Sequence, residues 1–97
     1  MSEEMIQRRG NRLFVTAPMV QANVNALLAA GTACFTARLH VVDLSVVPKA
    51  DSSALAVLFA WIRQADAQGK QLRFANLTSG MQALANLYGV TGILPII

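Results

Sequence analysis

Residues 43–55 read DLSVVPKADSSAL. Their first two residues end an apolar run, Leu39–Leu44, whose β-branched content predicts an interior strand covered on both faces. After the loop, apolar residues recur at helical spacing over about residues 53–68, which predicts an amphipathic helix. Three side chains that carry oxygen stand at the predicted helix start, those of Asp51, Ser52 and Ser53.

The N-terminal third predicts a hairpin and a helix. Two short strand-like runs, Met5–Arg9 and Leu13–Ala17, flank Gly10-Asn11, a pair that favours a tight turn. Apolar residues at helical spacing over residues 20–28 predict the first helix, with Gly31 as its C-cap.

The C-terminal third predicts a strand, a helix and an apolar tail. Residues 71–76 alternate polar and apolar side chains, as a half-covered strand near a sheet edge does. A third helix is predicted to start at Thr78 or Ser79 and to end at Gly89, with Leu87 and Tyr88 among its apolar positions. The apolar tail that follows is expected to pack on the domain, on a second copy or on a partner.

The order of elements is β-β-α-β-α-β-α, with helices linking the last strands. This order predicts one α/β domain over residues 1–97, a mixed sheet of about four strands with a parallel centre and about three packed helices. Val57 and Trp61 fall outside the main apolar stripe of the second helix. Two placements stay open for Trp61: a neighbouring loop covers it, or a partner does.

Composition narrows the class of function. Hydrophobic residues make up 55% of the chain and charged residues 13%, so some apolar surface is expected to meet a partner. The net charge is +3, and the arginines at positions 8, 9 and 12 are expected to form a solvated turn, with no nucleic-acid partner. The N-terminal sequence lacks a signal-peptide pattern and no apolar run is long enough to span a membrane, which indicates a cytoplasmic protein without membrane insertion.

The sequence contains few residues that could form a catalytic or metal site. Cys34 is the only cysteine and His40 the only histidine, so neither a disulfide nor a metal site can be assembled from them. Nothing resembles a nucleophile with its base, a carboxylate pair or a glycine-rich phosphate loop. We therefore expect no enzyme and no cofactor.

The signature of residues 41–55 resembles that of STAS domains. Val41-Val42-Asp43-Leu44-Ser45 is followed by six residues and then by Ser52-Ser53-Ala54-Leu55, with Asp51 leading. The family has an Asp-Ser-Ser-Gly-Leu or Asp-Thr-Gly-Gly-Leu element at this helix start, and its order of elements matches nearly the whole chain. Ala54 replaces the usual glycine.

Two subfamilies are similar to this chain. In anti-anti-sigma factors the second hydroxyl, here Ser53, is phosphorylated by a kinase-like anti-sigma partner, and the Ser52-Ser53 pair resembles that version. The small STAS subunit of Mla-type phospholipid ABC transporters instead uses the first hydroxyl, here Ser52, to bind the ATPase. The C-terminal pattern Leu84-Ala85-Asn86-Leu87-Tyr88 with Leu94-Pro95 resembles that subunit.

The resemblance implies a non-catalytic STAS subunit that binds the ATPase of a phospholipid transporter and, through it, the permease. Such a system maintains outer-membrane lipid asymmetry, and the subunit would lie peripheral to the inner membrane. The alternative is an anti-anti-sigma factor switched by phosphorylation at Ser53 or Ser52. The expected partner-binding residues are Asp51, Ser52, Ser53, Val57 and Trp61. A homodimer of the isolated chain also stays open, because of the apolar tail.

Overall fold

The computed structural model describes residues 4–97. The four strands are β1 (Ile6–Arg9), β2 (Arg12–Val15), β3 (Leu39–Asp43) and β4 (Gln71–Ala75). The three α-helices are α1 (Val24–Cys34), α2 (Ser53–Ala67) and α3 (Ser79–Leu87). Short 3-10 turns precede α1 at Gln21–Asn23 and follow α3 at Thr91–Ile93.

The strands form one mixed sheet in the order β1-β2-β3-β4. β1 and β2 are antiparallel and joined at Gly10, whose φ of 62° is in the region that favours glycine. β2 pairs parallel with β3, and β3 with β4. The predicted α/β architecture is confirmed: a single mixed sheet with a parallel centre and three helices.

The two faces of the sheet differ in burial. Leu13, Val42 and Phe74 stand opposite one another across three strands and are fully covered by the helices. The other face is only partly covered: Leu39 is 42% exposed and Val41 is half-buried. The prediction that β3 is covered on both faces is therefore wrong, because α1 and α2 pack on the same side. We call the uncovered side the open face; it carries Arg9, Arg12, Phe14, Leu39, Val41 and Arg73.

The contact between α1 and α2 corrects two predictions. Gly31 lies inside α1, which continues to Cys34, so it is not a C-cap. Trp61 is 0% exposed, and a Cβ built on Gly31 would lie 2.1 Å from its Nε1. Val57 is also buried. Val57 and Trp61 therefore form no exposed face for a partner. One side of α2 is buried against the sheet, and the side that carries these two residues is buried against α1.

α3 and the tail behave partly as predicted. Thr78 is the N-cap, and its hydroxyl accepts a hydrogen bond from the Met81 backbone N–H at 3.2 Å. Leu87 and Tyr88, predicted as apolar positions of α3, are 76% and 57% exposed, because only the side of α3 bearing Met81 and Ala85 is buried.

The apolar tail packs on its own domain only in part: Leu94 is buried, whereas Ile93 and Ile97 are exposed. The Phe74 N–H donates to the Pro95 carbonyl and the Ile97 N–H to the Phe74 carbonyl, at 2.8 and 2.9 Å, which adds a short parallel bridge to β4. Within residues 4–97, no helix is both long enough and apolar enough to cross a membrane.

Candidate partner-binding site at the start of α2

The start of α2 is held by the carboxylate of Asp51. Its Oδ1 accepts a hydrogen bond from the Ser53 backbone N–H at 2.8 Å. The other oxygen, Oδ2, accepts from the Gln21 backbone N–H at 3.2 Å, at the turn that precedes α1. One exposed side chain therefore satisfies unpaired donors at two neighbouring helix starts.

Backbone bonds tie the same two segments together. The Met19 N–H donates to the Lys49 carbonyl at 2.8 Å, and the Asp51 N–H donates to the Met19 carbonyl at 3.1 Å. The pKa of the Asp51 carboxyl lies below its ordinary value, chiefly because the Ser53 backbone N–H donates to it. The loop before α2 is thus fixed against the start of α1.

The two serines have different surroundings. Ser52 is exposed and its side chain makes no capping hydrogen bond, although it directly precedes α2. Ser53 is half-buried, and its backbone N–H is the one bonded to Asp51. The structure thus assigns the cap to Asp51 and leaves the Ser52 hydroxyl at the surface.

The five predicted partner-binding residues do not form one surface. Asp51, Ser52 and Ser53 lie together at the start of α2. Val57 and Trp61 lie in the interior, where the Trp61 Nε1 donates to the Leu27 carbonyl at 3.1 Å. An exposed apolar side chain does exist in the loop between β3 and α2: Val46 is 52% exposed.

The sequence did not reveal a buried ionic cluster at the end of β3. Asp43 is 3% exposed, and its Oδ2 accepts from Arg12 Nη2 at 2.7 Å, Arg12 Nε at 3.0 Å and Asn76 Nδ2 at 3.0 Å. Its Oδ1 accepts from the Ser45 backbone N–H at 2.8 Å. Asn76 has a φ of 58°, which lets its side chain turn back towards the carboxylate.

This cluster lowers the pKa of Asp43 to about 2. Burial alone would raise it, but the hydrogen bonds from Ser45, Arg12 and Asn76 outweigh that effect. The available signal was an acidic residue in an otherwise apolar strand, which requires a partner. The sequence does not identify that partner, because it predicts Arg12 in a solvated turn. That prediction is wrong for Arg12, which lies in β2 and pairs with Asp43.

His40 has a structural environment. It is fully buried; Nε2 accepts from the Thr36 and Ala37 backbone N–H groups at 3.1 and 2.9 Å, and Nδ1 lies 3.3 Å from the Asn11 carbonyl oxygen. Two accepted bonds at Nε2 require a neutral ring with its proton on Nδ1. Among residues 4–97, no group of three or more histidine, cysteine or acidic side chains is placed to hold a metal ion.

A family model described as "Mlab, STAS domain" matches residues 5–95. The chain belongs to the STAS domain family. The predicted family is therefore confirmed, and STAS domains are in general regulatory or binding domains without catalytic activity. A search of curated protein sequences finds no match.

Solved structures resemble this STAS domain in fold. A proposed anti-sigma factor antagonist from Thermotoga maritima superimposes with a TM-score of 0.74 at 14% identity, over 94% of this chain and 82% of that one. The anti-sigma factor antagonist SpoIIAA in its unphosphorylated form gives a TM-score of 0.71 at 9% identity, over 95% and 85% of the two chains. At these identities the likeness concerns the fold alone.

Proposed function

We propose that this STAS domain is a non-catalytic subunit that binds the ATPase of a phospholipid-transporting ABC system. It stabilises or regulates the transporter, whose role is the maintenance of outer-membrane lipid asymmetry, and it contacts the permease through the ATPase. The match of residues 5–95 to the family model described as Mlab carries this proposal. Such a subunit lies in the cytoplasm, peripheral to the inner membrane.

The geometry at the start of α2 supports this proposal. The Ser52 hydroxyl is exposed and makes no capping bond, so it is available to a partner. Asp51 holds the surrounding backbone in place through Ser53 and Gln21. A hydroxyl on a backbone that is already held in place needs little ordering when a partner binds, which favours affinity. Val46 supplies an exposed apolar contact in the same loop.

The test is recovery of partners from the native host. The tagged chain is purified in mild detergent, and mass spectrometry identifies its partners and the state of the Ser52–Ser53 peptide. Recovery of an ABC ATPase and its permease with an unmodified peptide is the expected result. Recovery of neither would contradict the proposal.

A matched pair of variants tests the site itself. Ser52→Asp places charge and bulk at the proposed contact and should abolish ATPase recovery. Ser79→Asp changes an exposed serine in the same way at the start of α3, where negative charge is tolerated, and should leave recovery intact. Equal recovery with both variants would show that Ser52 is not at the interface.

A second function is favoured by the hydroxyl at Ser53. It lies in the first turn of α2, where a phosphate is electrostatically compatible with the helix, and two structural neighbours are described as anti-sigma factor antagonists. However, the Asp51 carboxylate accepts from the Ser53 N–H at 2.8 Å and would repel a phosphate there. A kinase-like partner recovered with a phosphorylated Ser53 peptide, and constitutive binding by Ser53→Ala, would establish this function instead.

A further inference from the structure

A row of arginines crosses the open face of the sheet. Arg9 stands opposite Arg12, Arg12 opposite Val41, and Val41 opposite Arg73, so the row spans all four strands. Neighbouring strands lie about 4.8 Å apart, which places Arg9 and Arg73 about 14 Å from each other. Both are exposed.

This face has little negative charge of its own. Asp43 is the only acidic residue in the four strands, it is buried, and Arg12 already pairs with it. Within residues 4–97 that pair is the single ion pair. Asp66 of α2 lines a depression with Arg73 at the edge of β4, but it forms no ion pair with it, so both Arg9 and Arg73 can pair with a partner's carboxylates. A partner that covers the open face must therefore carry negative charge.

The surface of the open face between the arginines is apolar. Leu39 is exposed, and Phe14 and Val41 are half-buried on the same face. The Arg12 guanidinium carbon lies 5.8 Å from the centre of the Phe14 ring. Arginine and aromatic side chains around an apolar centre are typical of a protein interface.

The open face also adjoins the loop that leads to the proposed site. Val46, in the loop that leads to α2, lines a shallow depression with Gln7, Arg9 and Phe14. A partner that contacts Ser52 can therefore extend over Val46 and onto the sheet without leaving the protein surface.

We infer that the open face is a second contact surface for the ATPase, and that it binds a segment carrying both acidic and aliphatic side chains. The carboxylates pair with Arg9 and Arg73, and the aliphatic groups cover Leu39 and Val41. This inference rests on the proposed function. An anionic bilayer is a poorer occupant, since each arginine near such a surface strengthens binding by only about fivefold and two of them do not hold a domain there.

The test measures the affinity of the full-length chain for the purified ATPase at about 50 mM and about 300 mM NaCl. Arg9→Gln with Arg73→Gln removes the two charges of the open face. The control, Arg38→Gln with Arg63→Gln, removes two exposed charges elsewhere. We expect the open-face variant to bind about tenfold more weakly at low salt, with a smaller difference at high salt, and the control to bind like the wild type.

Other outcomes overturn the inference in distinguishable ways. If Ser52→Asp abolishes binding but the two arginine variants bind equally well, the open face is no contact surface and the proposed function stands. If the wild type does not bind the ATPase, both are wrong. Vesicles of phosphatidylglycerol and phosphatidylcholine, and single-stranded RNA, are assayed in parallel. If vesicles or RNA bind in a way that depends on Arg9 and Arg73, and the open-face variant binds the ATPase as the wild type does, then the open face binds lipid or RNA and not the ATPase.

Discussion

The indole of Trp61 lies directly against Gly31 and donates its Nε1–H to the Leu27 carbonyl at 3.1 Å. The absence of a side chain at Gly31 is what allows α1 and α2 to approach so closely. The Phe35 ring packs edge-on against the same indole, with centroids 6.0 Å apart. These contacts place the largest side chain of the protein at the centre of the α1–α2 interface.

Gly31→Ala should therefore destabilise the domain. A Cβ at this position would lie 2.1 Å from Trp61 Nε1, so the indole or the helix must move. Overpacking of this kind lowers the free energy of unfolding by about 1–3 kcal/mol, which urea denaturation measures. Gly80→Ala is the control: nothing lies within 4 Å of its Cβ, and the helical position should gain about 0.5–1 kcal/mol. Equal effects of the two substitutions would contradict the proposed contact.

Local patterns in the sequence predicted the sheet and the ends of α2 and α3. Alternation in β4, the cap at Thr78 and the helix end at Gly89 depend on neighbouring residues, and the structure confirms all three. The closest packing contact was not predictable in this way. From its neighbours in the sequence, Gly31 is predicted to end α1. Only the position of Trp61, thirty residues later, shows why this residue is a glycine.

In the candidate site, too, local features were predictable from the sequence and contacts between distant residues were not. The sequence predicts Asp51, Ser52 and Ser53 at the helix start because capping residues stand next to the helix they cap. The second bond of Asp51, to Gln21, and the pairing of Arg12 with Asp43 join residues about thirty positions apart. Burial of Val57 and Trp61 depends on where α1 packs, which periodicity within α2 does not encode.

Asp51→Ala should loosen both helix starts at once. The amides of Ser53 and Gln21 lose their common acceptor, so their hydrogen exchange should accelerate relative to the wild type. Exchange measured by NMR at single residues tests this directly. Asp66→Ala removes an exposed carboxylate near the other end of α2 and should change neither amide. If Gln21 keeps its protection in Asp51→Ala, the link between the two segments is not formed by the carboxylate.

His40 should make stability fall in mild acid. Burial is the main cause that lowers its pKa below 6.5; Arg8 and Lys70 lower it further, and the hydrogen bond to Asn11 acts in the opposite direction. The unfolded chain thus takes up a proton at a higher pH than the folded protein. The stabilisation is complete above about pH 6.5 and is lost as the pH falls below it, at up to about 1.4 kcal/mol per pH unit.

Urea unfolding between about pH 7.5 and about pH 5 measures this loss. His40 is the only histidine of the chain, so its contribution dominates that window. His40→Gln, which retains hydrogen-bonding capacity without titrating, should be less stable at neutral pH and less dependent on pH. A wild-type stability that stays constant across the window would contradict a buried neutral His40.

Asp43 should govern stability at lower pH. Its pKa falls from 3.8 to about 2 on folding, so its contribution is present above about pH 4 and is lost as the pH falls through about 2. Asp43→Asn should lower the free energy of unfolding at neutral pH by about 1–3 kcal/mol, because the amide cannot accept every bond from Ser45, Arg12 and Asn76. Arg12→Gln should cost about 1 kcal/mol or less, since Arg12 is partly exposed and two donors to Asp43 remain. Urea unfolding of the three proteins at neutral pH gives the order of stability. If Arg12→Gln lowers the free energy of unfolding more than Asp43→Asn does, the ion pair with Arg12, and not the full set of hydrogen bonds to the carboxylate, stabilises this end of the sheet.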